Sequence, residues 1–157
     1  FAERARACGA DVSLAFALPE RLPLPEADFC MAMANLLENA VEACERTERG
    51  EGGAGGRGST AQDGARPLFV DAEARIEGNA VLVSVRNSCT PSDARALAAA
   101  APDGVLSSGA RSAKREGDGI GLASVATLAK RYRGEVQVEI DEYAATIRVL
   151  LRTGGAR

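Results

Sequence analysis

Two asparagines four residues apart, Asn35 and Asn39, stand in the run Asn35-Leu36-Leu37-Glu38-Asn39-Ala40-Val41-Glu42. On a helix that spacing stacks them on one face, with Glu38 and Glu42 flanking it and the apolar residues opposite. Asparagine is a mediocre helix former, so two on one face beside two carboxylates suit a site that needs neutral carbonyl oxygens and some negative charge. Mg²⁺ with a polyphosphate makes that demand: it takes one or two oxygen ligands from protein and the rest from phosphate and water. A second cluster, Gly117-Asp118-Gly119-Ile120-Gly121-Leu122, falls at a loop-to-helix junction. Glycines let the backbone approach a ligand, and the first N–H groups of a helix are free to meet phosphate oxygens. Lys114 and Arg115 add positive charge on the loop before it. No strand leads into this cluster, so it fails as a dinucleotide-binding fingerprint. The third candidate is Asn87, at the end of a hydrophobic strand, whose carboxamide can accept from an exocyclic amine and donate to a ring nitrogen of a base. Taken singly, each has a plain alternative: a solvated helix face, a glycine-rich turn, a turn-forming asparagine.

Composition narrows the chemistry. The chain contains no histidine, which removes Ser-His-Asp and Cys-His catalysis and any histidine-completed zinc site. Cys8, Cys30, Cys44 and Cys89 form no C-x-x-C pair and read as free buried thiols of a reducing compartment. The net charge is −3, against a duplex-binding surface, which would carry a basic stripe. No apolar run approaches the ~20 residues of a membrane span. At 157 residues, 46% hydrophobic and 26% charged, the chain is expected to form one globular domain without metal or disulfide staples. It opens in helical character without an initiator Met and reads as part of a longer protein.

The elements that must position these residues follow from periodicity. Residues 1–8 read as a helix capped at Gly9, and Val12, Leu14, Phe16 and Leu18 alternate as in a strand. A helix is expected from about Pro25, in its first turn, to Glu45, with Phe29, Met33, Leu36, Leu37, Ala40, Val41 and Cys44 as its apolar stripe. Residues 46–66, with six glycines between 50 and 58, read as a flexible insertion. Strands at 68–76 and 80–86 are joined at Glu77-Gly78-Asn79, and a break follows over 87–91. A short helix spans 92–100, capped by Ser92 or Thr90. A mobile loop is expected over 101–116, then a helix from Ile120 to Arg133 closed by Gly134. Strands at 135–140 and 145–151 end the chain. Two hairpins without strict helix–strand alternation predict an α/β fold, a mixed sheet with helices on one face.

In this order, the three clusters resemble the GHKL or Bergerat ATP-binding fold over residues 3–151. Asn35-x-x-x-Asn39 is similar to its N box, Val85-Arg86-Asn87-Ser88 to its adenine-reading G1 box, and Gly117 to Leu122 to its G2 box. The run N-L-L-E-N-A-V-E-A and the run G-D-G-I-G-L-A-S-V resemble the catalytic domains of sensor histidine kinases, closest to the peptide-quorum-sensing and citrate-sensing type. The resemblance implies a two-layer α/β sandwich with ATP and Mg²⁺ held between the two long helices and a lid over 101–116. It implies that Asn39 meets Mg²⁺ with support from Asn35 and Glu38, and that Asn87 meets adenine. Gly117, Gly119, Gly121 and Leu122 would frame the phosphates, with Lys114 reaching from the lid.

ATPases and serine kinases of this superfamily carry a Glu base four residues before the magnesium-binding Asn. Here that position is Asn35. A neutral imidazole already has a free lone pair near pH 7 and has far less need of a base, so Asn35 points to a histidine acceptor. That histidine would lie on a separate dimerisation domain of the same protein. A response regulator, and a homodimer of the full-length protein, are the implied partners. A membrane is implied only through upstream segments, with this domain in the cytoplasm. An ATPase, a serine kinase and a degenerate interaction module are the alternatives. Asp118 departs from the pattern, since a carboxylate beside a triphosphate weakens binding.

Overall fold

The computed structural model describes residues 1–50, 67–107 and 120–154. Its elements run α1 (Ala2–Ala7), β1 (Asp11–Ala17), α2 (Glu26–Glu48), β2 (Phe69–Glu77), β3 (Ala80–Ser88), α3 (Pro91–Ala100), α4 (Ile120–Arg131), β4 (Glu135–Asp141) and β5 (Ala144–Arg152). The strands form one sheet in the order β1-β2-β3-β5-β4, with β1 parallel to β2 and every other pairing antiparallel. This is the mixed α/β sheet expected. Register explains why only one face is covered. Val70 opposes Asn87, Ala72 opposes Val85 and Ala74 opposes Val83, and all six are buried. The columns between them, Asp71 with Arg86 and Glu73 with Ser84, stand on the other face. There the sheet carries a shallow cavity of ≈ 610 Å³ in which Arg75 pairs with Glu73, Arg148 with Glu139 and Arg86 with Asp141. Against the covered face pack Leu36, Val41 and Cys44 of α2 and Val125 and Leu128 of α4, all within one core.

Local rules set the element ends. The backbone N–H of Ala10 donates to Ala5 O at 3.0 Å and that of Gly9 to Arg6 O at 2.9 Å. With Gly9 at φ +79°, α1 closes in a Schellman turn. Pro25 is the N-cap of α2 with an extended ψ of 127°, so it stands just outside the helix rather than in its first turn. The helix also runs three residues beyond Glu45, because Arg46 bonds Asp93 of α3 at 3.1 Å and Thr47 Oγ1 donates to Ala43 O. The remaining residues of the expected insertion, 51–66, lie outside the described residues. Of the expected mobile loop over 101–116, residues 104–106 are tied to β4: Leu106 N donates to Val136 O at 2.8 Å and Val138 N to Gly104 O at 2.7 Å.

The end of α4 departs from expectation. Arg133, not Gly134, takes the left-handed conformation, at φ 49°. Gly134 N donates to Ala129 O at 2.8 Å, and glycine is demanded there by proximity: a Cβ would lie 1.7 Å from the Leu150 carbonyl oxygen. At α3, Thr90 is the N-cap of the two candidates. Its Oγ1 accepts from Asp93 N at 3.0 Å while the Asp93 carboxylate accepts from Thr90 N, with Pro91 at the first helical position. Thr90→Ala removes this reciprocal cap and is expected to cost about 1 kcal/mol, a fall of about 2–4 °C in Tm by thermal denaturation.

Among the described residues, no helix is long and apolar enough to cross a membrane. The thiols divide by depth: Cys44 and Cys89 are buried, Cys8 half-buried and Cys30 exposed, so two of the four differ from the buried state expected. Burial pushes the Cys44 thiol up to about 12 and the Cys89 thiol up to about 11. An unfolded thiol loses its proton near 9 while these keep theirs. Their contribution to stability is therefore complete below about pH 9 and is lost as pH rises toward the folded values. Alkylation of the native protein at pH 8, followed by mass spectrometry, is expected to modify Cys30 and to spare Cys44 and Cys89 until denaturant is added.

Candidate functional site

The α2 face that meets α4 carries both asparagines. Asn39 Nδ2 donates to the Asn35 backbone carbonyl at 2.6 Å, and Asn35 Nδ2 donates to Met31 Sδ at 3.3 Å. The amide groups are thus turned back onto α2, which leaves the Oδ1 atoms as acceptors. Gly121, second residue of α4, lies directly against them: a Cβ there would come 3.0 Å from Asn39 Nδ2 and 3.5 Å from Asn35 Oδ1. The structure therefore joins two of the three sequence clusters. The joint between the helices is fixed at its far end by Tyr132, whose hydroxyl donates to Asp28 Oδ2 at 2.5 Å, with Arg131 3.4 Å from the same carboxylate.

Asn87 lies inside β3 rather than in a break after it, since pairing continues through Ser88 to Ala144. It is 5% exposed, on the helix-covered face, with Nδ2 donating to Ser88 O at 2.9 Å. Cys44 of α2 reaches the Phe69 carbonyl at 3.4 Å and the Ser88 carbonyl at 3.9 Å. The helix thus travels from Asn39 to the end of β3 in five residues, a rise of about 7.5 Å. Glu38 points elsewhere. It is held by Arg4 of α1, which also bonds Glu45 at 3.1 Å. Leu122 is half-buried and packs on the core. Lys114, Gly117, Asp118 and Gly119 lie outside the described residues.

Three supports were not foreseen: the Asp28–Tyr132 bond, the Arg46–Asp93 bridge from α2 to α3, and the Cys44 contact with the end of β3. None had a local signal, because each joins residues distant in sequence.

Chemically, the arrangement offers carboxamide oxygens rather than a metal cage. Among the described residues no group of three or more His, Cys, Asp or Glu side chains converges. A divalent cation here would take Asn39 Oδ1 and complete its shell from phosphate and water. The residues fit Mg²⁺, which accepts such partial protein ligation. With glycine at 121, no α4 side chain crowds the Asn39 carboxamide. Gly121→Ala is expected to keep the fold, since the Asn39 side chain can yield by a few tenths of an ångström. It should weaken magnesium-dependent nucleotide affinity about tenfold, roughly 1.4 kcal/mol, by displacing the Asn39 carboxamide; calorimetric titration beside the parent checks this.

The family model described as "GHKL domain" matches residues 60–152, more than half of the chain, and the chain belongs to that family. The matched region holds Asn87 and Gly117 to Leu122 but begins beyond α2. Solved structures extend the comparison over α2. The nucleotide-free catalytic domain of histidine kinase ThkA is 15% identical, with a TM-score of 0.60, over 98% of this chain and 84% of that one. Acinetobacter baumannii histidine kinase AdeS is 10% identical, with a TM-score of 0.57, over 99% of this chain and 60% of that one. Full-length ShkA in complex with AMPPNP is 22% identical, with a TM-score of 0.52, over 99% of this chain and 28% of that one. At these identities they establish that the fold is that of histidine kinase catalytic domains. The chain spans 60% of the AdeS chain. No curated protein matches this sequence.

Proposed function

We propose that this chain is the ATP-binding catalytic domain of a sensor histidine kinase, which moves the γ-phosphoryl of Mg-ATP to a histidine on a separate dimerisation domain. The observation that carries the reading is Gly121 of α4 set against Asn35 and Asn39 of α2, with both amides turned back and their oxygens left as acceptors. Membership of the GHKL family and the AMPPNP complex of the neighbour ShkA support a nucleotide there. Asn39 holds Mg²⁺, Asn35 supports it, Asn87 reads the adenine edge, and Gly117, Gly119, Gly121 and Leu122 frame the phosphates with Lys114 above them. Glu38, paired with Arg4, contributes charge near the site rather than a base. When bound, Mg²⁺ neutralises phosphate charge, and the protein supplies positioning.

Asn35 favours histidine transfer over hydrolysis, because it cannot take a proton from water or a serine hydroxyl. The chain itself contains no histidine, so the acceptor comes from elsewhere in the full protein, and a response regulator receives the phosphoryl group in turn. The N-L-L-E-N-A-V-E-A run supports the quorum-sensing and citrate-sensing branch, and with it a position on the cytoplasmic side of a membrane-anchored sensor. The test uses γ-labelled ATP. The full-length protein should acquire acid-labile label, and this domain alone should bind ATP, take up no label and release phosphate slowly. Rapid phosphate release by the isolated domain would mean an ATPase, and alkali-labile, acid-stable label would mean a serine kinase.

A further inference from the structure

The two edges of the sheet are treated differently. At the middle of β4 residues 104–106 lie along the edge: Val138 N donates to Gly104 O, Leu106 N donates to Val136 O, and Val105 bridges Gln137. At β1 nothing comparable is formed among the described residues. Asp11 N donates to Leu68 O, and in a parallel pair alternate residues direct both backbone groups to the same side. Asp11, Ser13, Ala15 and Ala17 therefore bond β2, while Val12, Leu14 and Phe16 turn their N–H and C=O outward. The same three carry the apolar side chains, and Leu14 is 51% and Phe16 48% exposed. Between Asp11 and Ala17 the strand has no lysine, no proline and no bulge, the usual defences of a free edge.

We infer that β1 is a pairing edge and that its occupant is the β1 of a second copy of this chain, antiparallel across a two-fold axis at Leu14. The sequence is self-complementary in that register. Leu14 opposes Leu14, Val12 opposes Phe16, Ser13 opposes Ala15, and the single charge, Asp11, opposes Ala17, so no like charges meet. The outward residues coincide with the hydrogen-bonded positions of the antiparallel ladder, which gives about six new bonds. Shifting the register by two leaves Val12 or Phe16 beyond its partner. Because residues 104–106 already lie along the β4 edge, addition stops at two copies and the assembly closes instead of growing into a fibre.

Sedimentation equilibrium of the chain up to about 1 mM, the effective concentration that tethering in a larger dimer supplies, is expected to show a monomer–dimer equilibrium. Hydrogen exchange at the amides of Val12, Leu14 and Phe16 should slow as concentration rises, while Ser13 and Ala15, already bonded to β2, should not change. Leu14→Lys, and independently Phe16→Lys, should weaken dimerisation tenfold or more with circular dichroism unchanged, since both side chains are exposed. A strict monomer at 1 mM, open-ended polymers, or a dimer that survives both substitutions with unaltered exchange at β1 would overturn the inference.

Discussion

Asn39→Ala is expected to lower magnesium-dependent ATP affinity by about a hundredfold or more, the equivalent of roughly 2.7 kcal/mol. The reason is the shortage of alternatives. Mg²⁺ draws only one or two ligands from protein at a polyphosphate site, and no acidic cluster among the described residues stands by to replace a lost one. The fold should survive: among the described residues the Asn39 amide bonds only the Asn35 carbonyl of its own helix, and alanine is the better helix former. Calorimetric titration with Mg-ATP, beside circular dichroism of the mutant, separates loss of the site from loss of structure. Affinity equal to that of the parent would place the cation elsewhere.

The second large effect concerns stability. Gly134→Ala puts a Cβ at 1.7 Å from the Leu150 carbonyl oxygen and 2.6 Å from its carbon. Both are backbone atoms of β5, so no side chain can swing aside. Leu150 is also the ladder partner of Glu135, and relief would have to come from parting β4 and β5. The expected cost is about 3 kcal/mol or more, a fall of about 10 °C in Tm for a domain of this size. A variant melting within a degree or two of the parent would contradict the close approach.

The features that were legible in the sequence are those carried by a local period. The stripe from Phe29 to Cys44 specified α2, and the four-residue spacing of Asn35 and Asn39 placed them together on the face that meets α4. Alternation specified β1 but not its setting: only the strand order shows Leu14 and Phe16 at an uncovered edge. Gly134 was read as a left-handed cap because glycine usually serves that role. The actual constraint is the Leu150 carbonyl, sixteen residues later in the chain, and Arg133 takes the strained conformation instead. Likewise nothing local marks Val105 and Leu106 as partners of β4, or Glu38 as the partner of Arg4. Each depends on a contact between distant segments, which periodicity does not record.

The magnesium–nucleotide site we propose rests on Asn35, Asn39 and Gly121. The most direct measurement is calorimetric titration of ATP into the domain with Mg²⁺ and again with the cation chelated. The site as described predicts one ATP per chain with Mg²⁺ and affinity about a hundredfold weaker without it, with Asn39→Ala reducing the first value to the second. Equal affinity in the two titrations, or no binding in either, would contradict it.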